Sequence, residues 1–250
     1  MVDLSLRVLG CGDAFCSGGR LQTCFHLRTC EQTFLLDCGA TVLLAMQQQN
    51  IDPESIDGIL LSHLHGDHFG GVPFLLIHAQ FVAKRTRPLT IVGPRGTKDR
   101  IDAALDVLFS DLQGTTWSFP LDVVELEAGK HEIIGDLLVT SYLVDHPSGA
   151  PSFAFRLEAQ GKTLAFSGDT RWTDALIDIA NGADLLILEC HGYRPNGIHH
   201  LDWQTLNLHQ DDLRARRILL THMSDSMLTR LPTLEPGRFE FAEDGLVTTI

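Results

Sequence analysis

The 250-residue chain predicts an α/β protein built as a four-layer αββα sandwich, folded as a single domain over residues 1–250. Three observations carry this expectation. Apolar runs of strand length and stretches of helical pattern occur in both halves, which two sheets packed face to face with helices outside account for. No short repeat, low-complexity segment or linker breaks the chain. Hydrophobic content of 44% with 20% charged residues is ordinary for a globular protein with ample core.

The elements follow in order. Leu4 to Gly10 alternates and predicts a strand. Gly10-Cys11-Gly12 through Gly18-Gly19-Arg20 is a glycine-rich loop, and Gln22 to Arg28 with Thr33 to Asp37 forms a hairpin. Ala40 to Gln49 is a helix, ended by Asn50 and Pro53. Gly58 to Ser62 is a short strand, and His68 to Ala83 is one apolar helix. After the strand Leu89 to Val92, Gly93-Pro94-Arg95-Gly96-Thr97 caps a helix that ends near Phe109. Strands are expected at Trp117 to Phe119, Val123 to Leu126 and Leu137 to Val144, with His131 in a turn. A hairpin of Ser152 to Glu158 and Lys162 to Ser167 comes next. The helix Thr173 to Asn181, the strand Leu185 to Glu189, the helix Asp202 to Arg214 and the strand Arg217 to Leu220 complete the order. The basic run Arg214-Ala215-Arg216-Arg217 is expected at the end of that last helix, where cations favour the dipole.

The densest chemistry lies in Ser62-His63-Leu64-His65-Gly66-Asp67-His68, directly after Ile59-Leu60-Leu61. Three imidazoles and a carboxylate at that spacing, at a strand end, point to a two-metal site. In an extended segment residues i and i+2 point the same way, so His63 and His65 face one metal. Gly66 then allows a sharp turn that swings Asp67 and His68 toward a second. His146 in Asp145-His146-Pro147, Asp169 in Ser167-Gly168-Asp169-Thr170 and His222 in Thr221-His222-Met223-Ser224 each follow an apolar run.

In that order, these segments resemble the metallo-β-lactamase-fold hydrolases, over nearly the whole chain. Within that superfamily the chain is most similar to the cyclic-phosphate phosphodiesterase of phosphonate breakdown and to the ribonuclease Z branch. The Gly168-Asp169-Thr170 and Thr221-His222-Met223-Ser224 segments carry this, with His200 in His200-Leu201-Asp202-Trp203-Gln204-Thr205 ahead of a late helix. The His200 segment and the ending, Pro236 to Glu240 leading into Asp244-Gly245, are closer to the cyclic phosphodiesterase. The resemblance implies the metallo-β-lactamase fold and assigns His63, His65 and His146 to one metal. It assigns Asp67, His68 and His222 to the other, with Asp169 bridging. Two divalent ions are implied, zinc by default, with manganese or iron also suited to nitrogen and oxygen donors.

The implied reaction is phosphodiester hydrolysis of a small substrate, a cyclic phosphate or nucleotide ester, by a metal-bridging hydroxide. His200 is the expected general acid, rather than its neighbour His199. Glu189 or Asp67 is expected to orient the histidine or the water, which makes Asp67 a catalytic candidate as well as a ligand. The competing readings are a ribonuclease Z-like nuclease for tRNA 3′ ends, a thioester hydrolase of the glyoxalase II type and a non-hydrolytic carrier for cofactor biosynthesis. The interval from His146 to Asp169 leaves room for one hairpin only, whereas bacterial ribonuclease Z carries its tRNA-gripping arm there.

Charge narrows the partners. With 19 basic and 32 acidic residues the net charge is −13, and long-range attraction to a large nucleic acid needs the opposite sign. No run approaches the roughly 18 apolar residues of a membrane span, and Met1 to Arg7 shows no signal-peptide pattern, so a cytoplasmic protein without membrane contact is expected. Cys11, Cys16, Cys24 and Cys30 lack the tight spacing of a structural zinc site. Cys11, Cys38 and Cys190 close apolar strands, where small buried thiols fit. Gly18-Gly19-Arg20 either brings N–H groups and a guanidinium to a substrate phosphate or makes a tight turn. Phe74 to Phe81 offers an apolar patch for a homodimer or for the core.

Overall fold

The computed structural model describes residues 4–112, 114–195, 197, 199–235 and 237–250; Met1 to Asp3 and Pro236, used in the sequence reading, lie outside the described residues. Six strands come first: β1 Ser5–Gly10, β2 Cys24–Arg28, β3 Thr33–Leu36, β4 Gly58–Leu60, β5 Leu89–Pro94 and β6 Leu121–Leu126. Seven more build a second sheet: β7 His131–Ile134, β8 Leu137–Leu143, β9 Phe153–Ala159, β10 Lys162–Phe166, β11 Leu185–Glu189, β12 Arg217–Thr221 and β13 Phe239–Phe241. The last strand, β14 Val247–Thr249, returns to pair with β1. The sheets run β14-β1-β2-β3-β4-β5-β6 and β13-β12-β11-β10-β9-β8-β7. Strands β3 to β6 are mutually parallel, as are β10 to β13.

Alternation along each strand sorts its side chains to two faces. Phe34 and Leu36 of β3 and Leu60 of β4 join Phe155, Leu164, Phe166 and Ile187 in the core between the sheets. Phe25 meets Phe166 edge-on across that core, with ring centroids 5.6 Å apart. The intervening residues Leu35, Ile59 and Ile91 face outward under the helices α1 Val42–Gln48, α2 Gly66–Phe69, α3 Val72–Ile77 and α4 Thr97–Leu108. On the other side Ala165, Leu186, Leu188 and Leu220 pack under α5 Ala175–Ala180, α6 Trp203–Leu208 and α7 Asp225–Leu228. Three apolar layers between four layers of backbone make the expected αββα sandwich.

Several boundaries differ from the sequence reading. The apolar helix expected from His68 to Ala83 is three pieces: α2, α3 and a wider π-helical turn over His78–Ala83. Gly70 and Gly71 separate the first two, and Gly71 N–H bonds to the Cys38 carbonyl, clipping the chain to the loop after β3. Pro73 in the first turn of α3 has no N–H to continue the previous helix. Trp117 to Phe119 is not a strand, because the open edge of β5 is taken by β6. His131 begins β7 rather than lying in a turn. The helix expected to reach Arg214 stops at Leu208. The Arg214 carbonyl accepts from Gly182 N–H and Arg216 N–H bonds to the Ala183 carbonyl, so that backbone cannot be helical. The basic run is therefore no helix terminus, and Arg216 pairs with Asp184 and Arg217 with Glu240.

Candidate metal centre

The seven candidate ligands are carried by loops that leave the C-terminal ends of strands. His63, His65, Asp67 and His68 follow β4, His146 follows β8, Asp169 follows β10 and His222 follows β12. Ligand sites of parallel sheets form at such ends, where loops leave the strands together. Gly168 in this run has φ +55, and a Cβ there would sit 2.8 Å from Ser62 Cβ. Glycine is needed at that point for both reasons, and it lets the Asp169 loop lie against the histidine motif. Gly66 does not have the role expected of it. It opens the single turn of α2, with open space where a Cβ would be, and the redirection of Asp67 and His68 comes from the helix starting after His65.

Two clusters result: His63, His65 and His146; and Asp67, His68, Asp169 and His222, each with ligand atoms within 4.8 Å of one another. His65 Nδ1 and His146 Nε2 are 3.0 Å apart. Asp67 Oδ2 lies 3.2 Å from Nε2 of both His68 and His222. Asp169 Oδ2 lies 3.2 Å from His68 Nε2, 3.4 Å from His222 Nε2, and 3.9 Å from Nε2 of both His63 and His146. One carboxylate oxygen thus faces both clusters.

Outer partners fix these rings. The Asp37 carboxylate, at φ +58 just after β3, accepts from Ser62 N–H and Ser62 Oγ, and its Oδ2 is 2.6 Å from His68 Nδ1. Ser62 Oγ also lies 3.0 Å from His63 Nδ1. His146 Nδ1 donates to the His199 carbonyl at 2.9 Å. With the Nδ1 atoms engaged, the Nε2 atoms of His63 and His68 are left buried and unpaired, facing the carboxylates. Buried polar atoms are ordinarily satisfied, and carboxylate- or carbonyl-oriented imidazoles are the usual outer arrangement around a metal. Asp37 carried no sequence signal beyond its place at a strand end.

Charge tells the same story. Burial pushes His63 well below the ordinary histidine range. Burial works against the charge of Asp169 and Asp67, yet the neighbouring imidazoles hold both well below the carboxylate range. Burial also opposes charge on His68 and His222, but the carboxylates beside them, Asp169 first, raise both. The two buried carboxylates are therefore ionised and hold protons on His68 and His222, where a divalent cation would take their place, and binding would release those protons. The donor set fits two cations of the kind that nitrogen and oxygen ligands hold.

His200 lies at the rim. Its Nδ1 is 3.1 Å from each oxygen of the buried Glu189 and 3.8 Å from Asp169 Oδ2. The ring lies nearly parallel to His191 and to His222, with centroids 4.6 and 5.4 Å away, and the three imidazoles form a triangle. Glu189, not Asp67, is the carboxylate in contact with His200, and Asp67 sits among the ligand imidazoles. His199 turns away to pair with Asp145 at 3.0 Å.

Other candidates fall outside. Gly18 and Gly19 have φ of +65 and +76, and Arg20 bonds the Cys11 thiol at 3.1 Å and the Ala242 carbonyl, so this loop is a turn with its guanidinium engaged. Burial pushes the Cys38 and Cys190 thiols upward, which suits packing rather than ligation. Among the described residues no helix is long and apolar enough to cross a membrane.

Solved structures share the architecture. Human tRNase Z, short form, superposes with a TM-score of 0.77 at 25% identity, covering 98% of this chain and 99% of that one. A diphosphatase from the PhnP family superposes at 0.78 with 17% identity over 99% and 98%, a likeness of fold. Ribonuclease Z of Mycobacterium bovis (strain BCG / Pasteur 1173P2) is 30% identical over 193 residues, 74% of this chain and 69% of that protein. Fold and site together define a metallo-β-lactamase-fold hydrolase that cleaves phosphodiester bonds with metal. The family model described as anti-Pycsar protein Apyc1 matches residues 4–248. The chain belongs to that family.

Proposed function

We propose that this protein hydrolyses a small phosphodiester, a cyclic phosphate or nucleotide ester, with His200 as general acid. In this reading His63, His65 and His146 hold one metal, Asp67, His68 and His222 the second, and Asp169 lies between them. Zinc suits a site so rich in imidazole. The bound metals supply a water activated near neutral pH and offset charge on the phosphoryl oxygens.

The observation that carries the reading is the His200–Glu189 pair. Glu189 accepts from Nδ1, which fixes the ring and leaves Nε2 as the nitrogen free to donate. Burial disfavours the imidazolium, but the Glu189 carboxylate outweighs it and pushes His200 up to about 9. The ring is therefore charged at neutral pH and ready to donate. As the water oxygen bonds to phosphorus and the P–O bond to the leaving alkoxide breaks, His200 gives its Nε2 proton to that alkoxide. The proton lost by the water goes to solvent.

The relatives named ribonuclease Z support phosphodiester cleavage, and the family description supports an anti-Pycsar role. The net charge of −13 favours a small anion held by bound cations over a polynucleotide. The exposed Phe74, Phe81 and Val82 support pairing of two copies of the chain. Unbridged thiols at Cys11, Cys38 and Cys190 suit a cytoplasmic setting.

The pH profile of kcat tests the reading. His200 must be protonated to act, so kcat falls as pH rises through its pKa, and bound cations bring that limb below about 9. Glu189→Gln removes the charge that raises this pKa, so the alkaline limb moves to lower pH by about one unit or more. A limb that stays in place would remove His200 from the acid role.

A further inference from the structure

We propose that Asp244 is a positioning residue for His222, acting through the backbone of Cys11. The inference rests on His222 being a metal ligand, as proposed above. His222 follows the end of β12 with φ +59. Residues other than glycine seldom adopt that left-handed conformation, and they keep it where surrounding contacts impose it. Here the contacts come from Cys11. His222 N–H donates to the Cys11 carbonyl at 3.0 Å, and Thr221 Oγ1 donates to the same oxygen at 3.3 Å. The ring has no comparable hold. His222 Nδ1 is buried without a hydrogen-bond partner, whereas Asp37 engages His68 Nδ1 and the His199 carbonyl engages His146 Nδ1. The aim of the His222 ring therefore depends on where its backbone is held.

The Cys11 peptide is itself gripped from the far end of the chain. Asp244 Oδ1 accepts from Cys11 N–H at 3.0 Å and from the Cys11 thiol at 3.2 Å, and Oδ2 accepts from Leu21 N–H at 2.7 Å. Burial pushes that thiol up to about 12, so it stays protonated as the donor. Arg20 supplies the second arm, bonding the Cys11 sulfur at 3.1 Å and the Ala242 carbonyl. The turn that carries Asp244 is tied to both sheets. Ala242 N–H donates to the Leu220 carbonyl of β12, and Gly245 N–H donates to the Val8 carbonyl of β1. Gly10 and Gly12 let the Cys11 segment lie against Arg20 to Gln22: a Cβ at Gly10 would sit 2.1 Å from the Gln22 carbonyl oxygen, and one at Gly12 2.8 Å from that of Arg20. Gly10-Cys11-Gly12, Arg20 and Asp244-Gly245, three separate features of the sequence, thus converge on one candidate ligand. Asp244 is exposed, so its loss removes directed bonds and opens no cavity in the core.

The test measures zinc affinity, equivalent by equivalent, by competition with a chromophoric chelator, together with the visible absorption of cobalt(II)-loaded protein. His222→Ala sets the reference: one equivalent is weakened and the cobalt bands change. Asp244→Ala is expected to weaken that same equivalent about tenfold, the lower end of what loss of an outer partner costs. The same bands shift, and the other equivalent keeps wild-type affinity. Arg20→Gln breaks the second arm and gives the same selective loss, which keeps the test decisive where the Asp244 variant folds poorly. Asp244→Asn retains an acceptor for Cys11 N–H and recovers most of the affinity. Arg217→Ala loosens the same C-terminal segment at Glu240 and Thr249 without touching Cys11, and leaves both equivalents unchanged. Wild-type affinity for both equivalents in folded Asp244→Ala and Arg20→Gln overturns the positioning role and leaves the ligand set standing. Equal losses at both equivalents, shared with Arg217→Ala, also overturn it, because they mark general loosening of the fold. Two unchanged equivalents in His222→Ala overturn His222 as a ligand and the inference with it.

Discussion

His200→Ala lowers kcat by about 10²- to 10⁴-fold on a phosphodiester with an alkoxide leaving group, the range for loss of a positioned general acid. The ring is held by two contacts of 3.1 Å to Glu189, so little reorganisation is needed before proton transfer. Removing it leaves the seven candidate ligands and their outer partners in place, and metal content should match wild type. The loss should depend on the leaving group. A p-nitrophenolate departs as a stable anion and needs little protonation, so bis(p-nitrophenyl) phosphate should lose less activity than an alkyl diester. Steady-state kinetics on both substrates, with metal analysis of the same samples, checks this. Equal losses on both substrates, or lost metal, would mean that His200 holds the site together rather than donating a proton.

Asp169→Ala abolishes function by a different route. Its Oδ2 faces His63, His68, His146, His200 and His222 at 3.2 to 3.9 Å, a span across both clusters that no other described carboxylate is placed to make. Without it, buried imidazoles crowd together with less negative charge to draw cations in. Loss of an outer-shell partner costs metal affinity up to about 100-fold, and this carboxylate is expected to cost at least that. Activity should fall to background, and purified protein should hold fewer than two ions per chain. Asp169→Asn keeps the shape but not the charge and should behave the same way. Full metal content in either variant would remove Asp169 from the ligand set.

Much of this was legible in the sequence because ligand chemistry is dense and periodic. His63 to His68 stood out by their spacing, and His146, Asp169 and His222 by the fixed order of segments that the metallo-β-lactamase resemblance implies. Short apolar runs placed β3, β4, β10 and β11, because strands covered on both faces are apolar along their length. Asp37 stayed hidden because a single carboxylate far from the motif looks like any strand-end residue, although it orients both Ser62 and His68. The two possible orienting carboxylates, Glu189 and Asp67, could be separated only in three dimensions. β13 and β14, with three residues each, are too short to show a period. Trp117-Ser118-Phe119 has the alternation of a strand, yet its rings pack on each other 5.7 Å apart, beneath no open sheet edge. The family escaped the sequence reading, which reached the phosphodiesterase branch of the superfamily. Ligands are shared across that branch, and the loops that separate its families have no such period.

Phosphodiester cleavage by this chain depends on metal. The most direct measurement titrates metal-free protein with zinc while following hydrolysis of bis(p-nitrophenyl) phosphate. Turnover that rises with added zinc and saturates at two equivalents per chain is the predicted result. Protein that binds two equivalents and hydrolyses nothing, or that is fully active without metal, would contradict it.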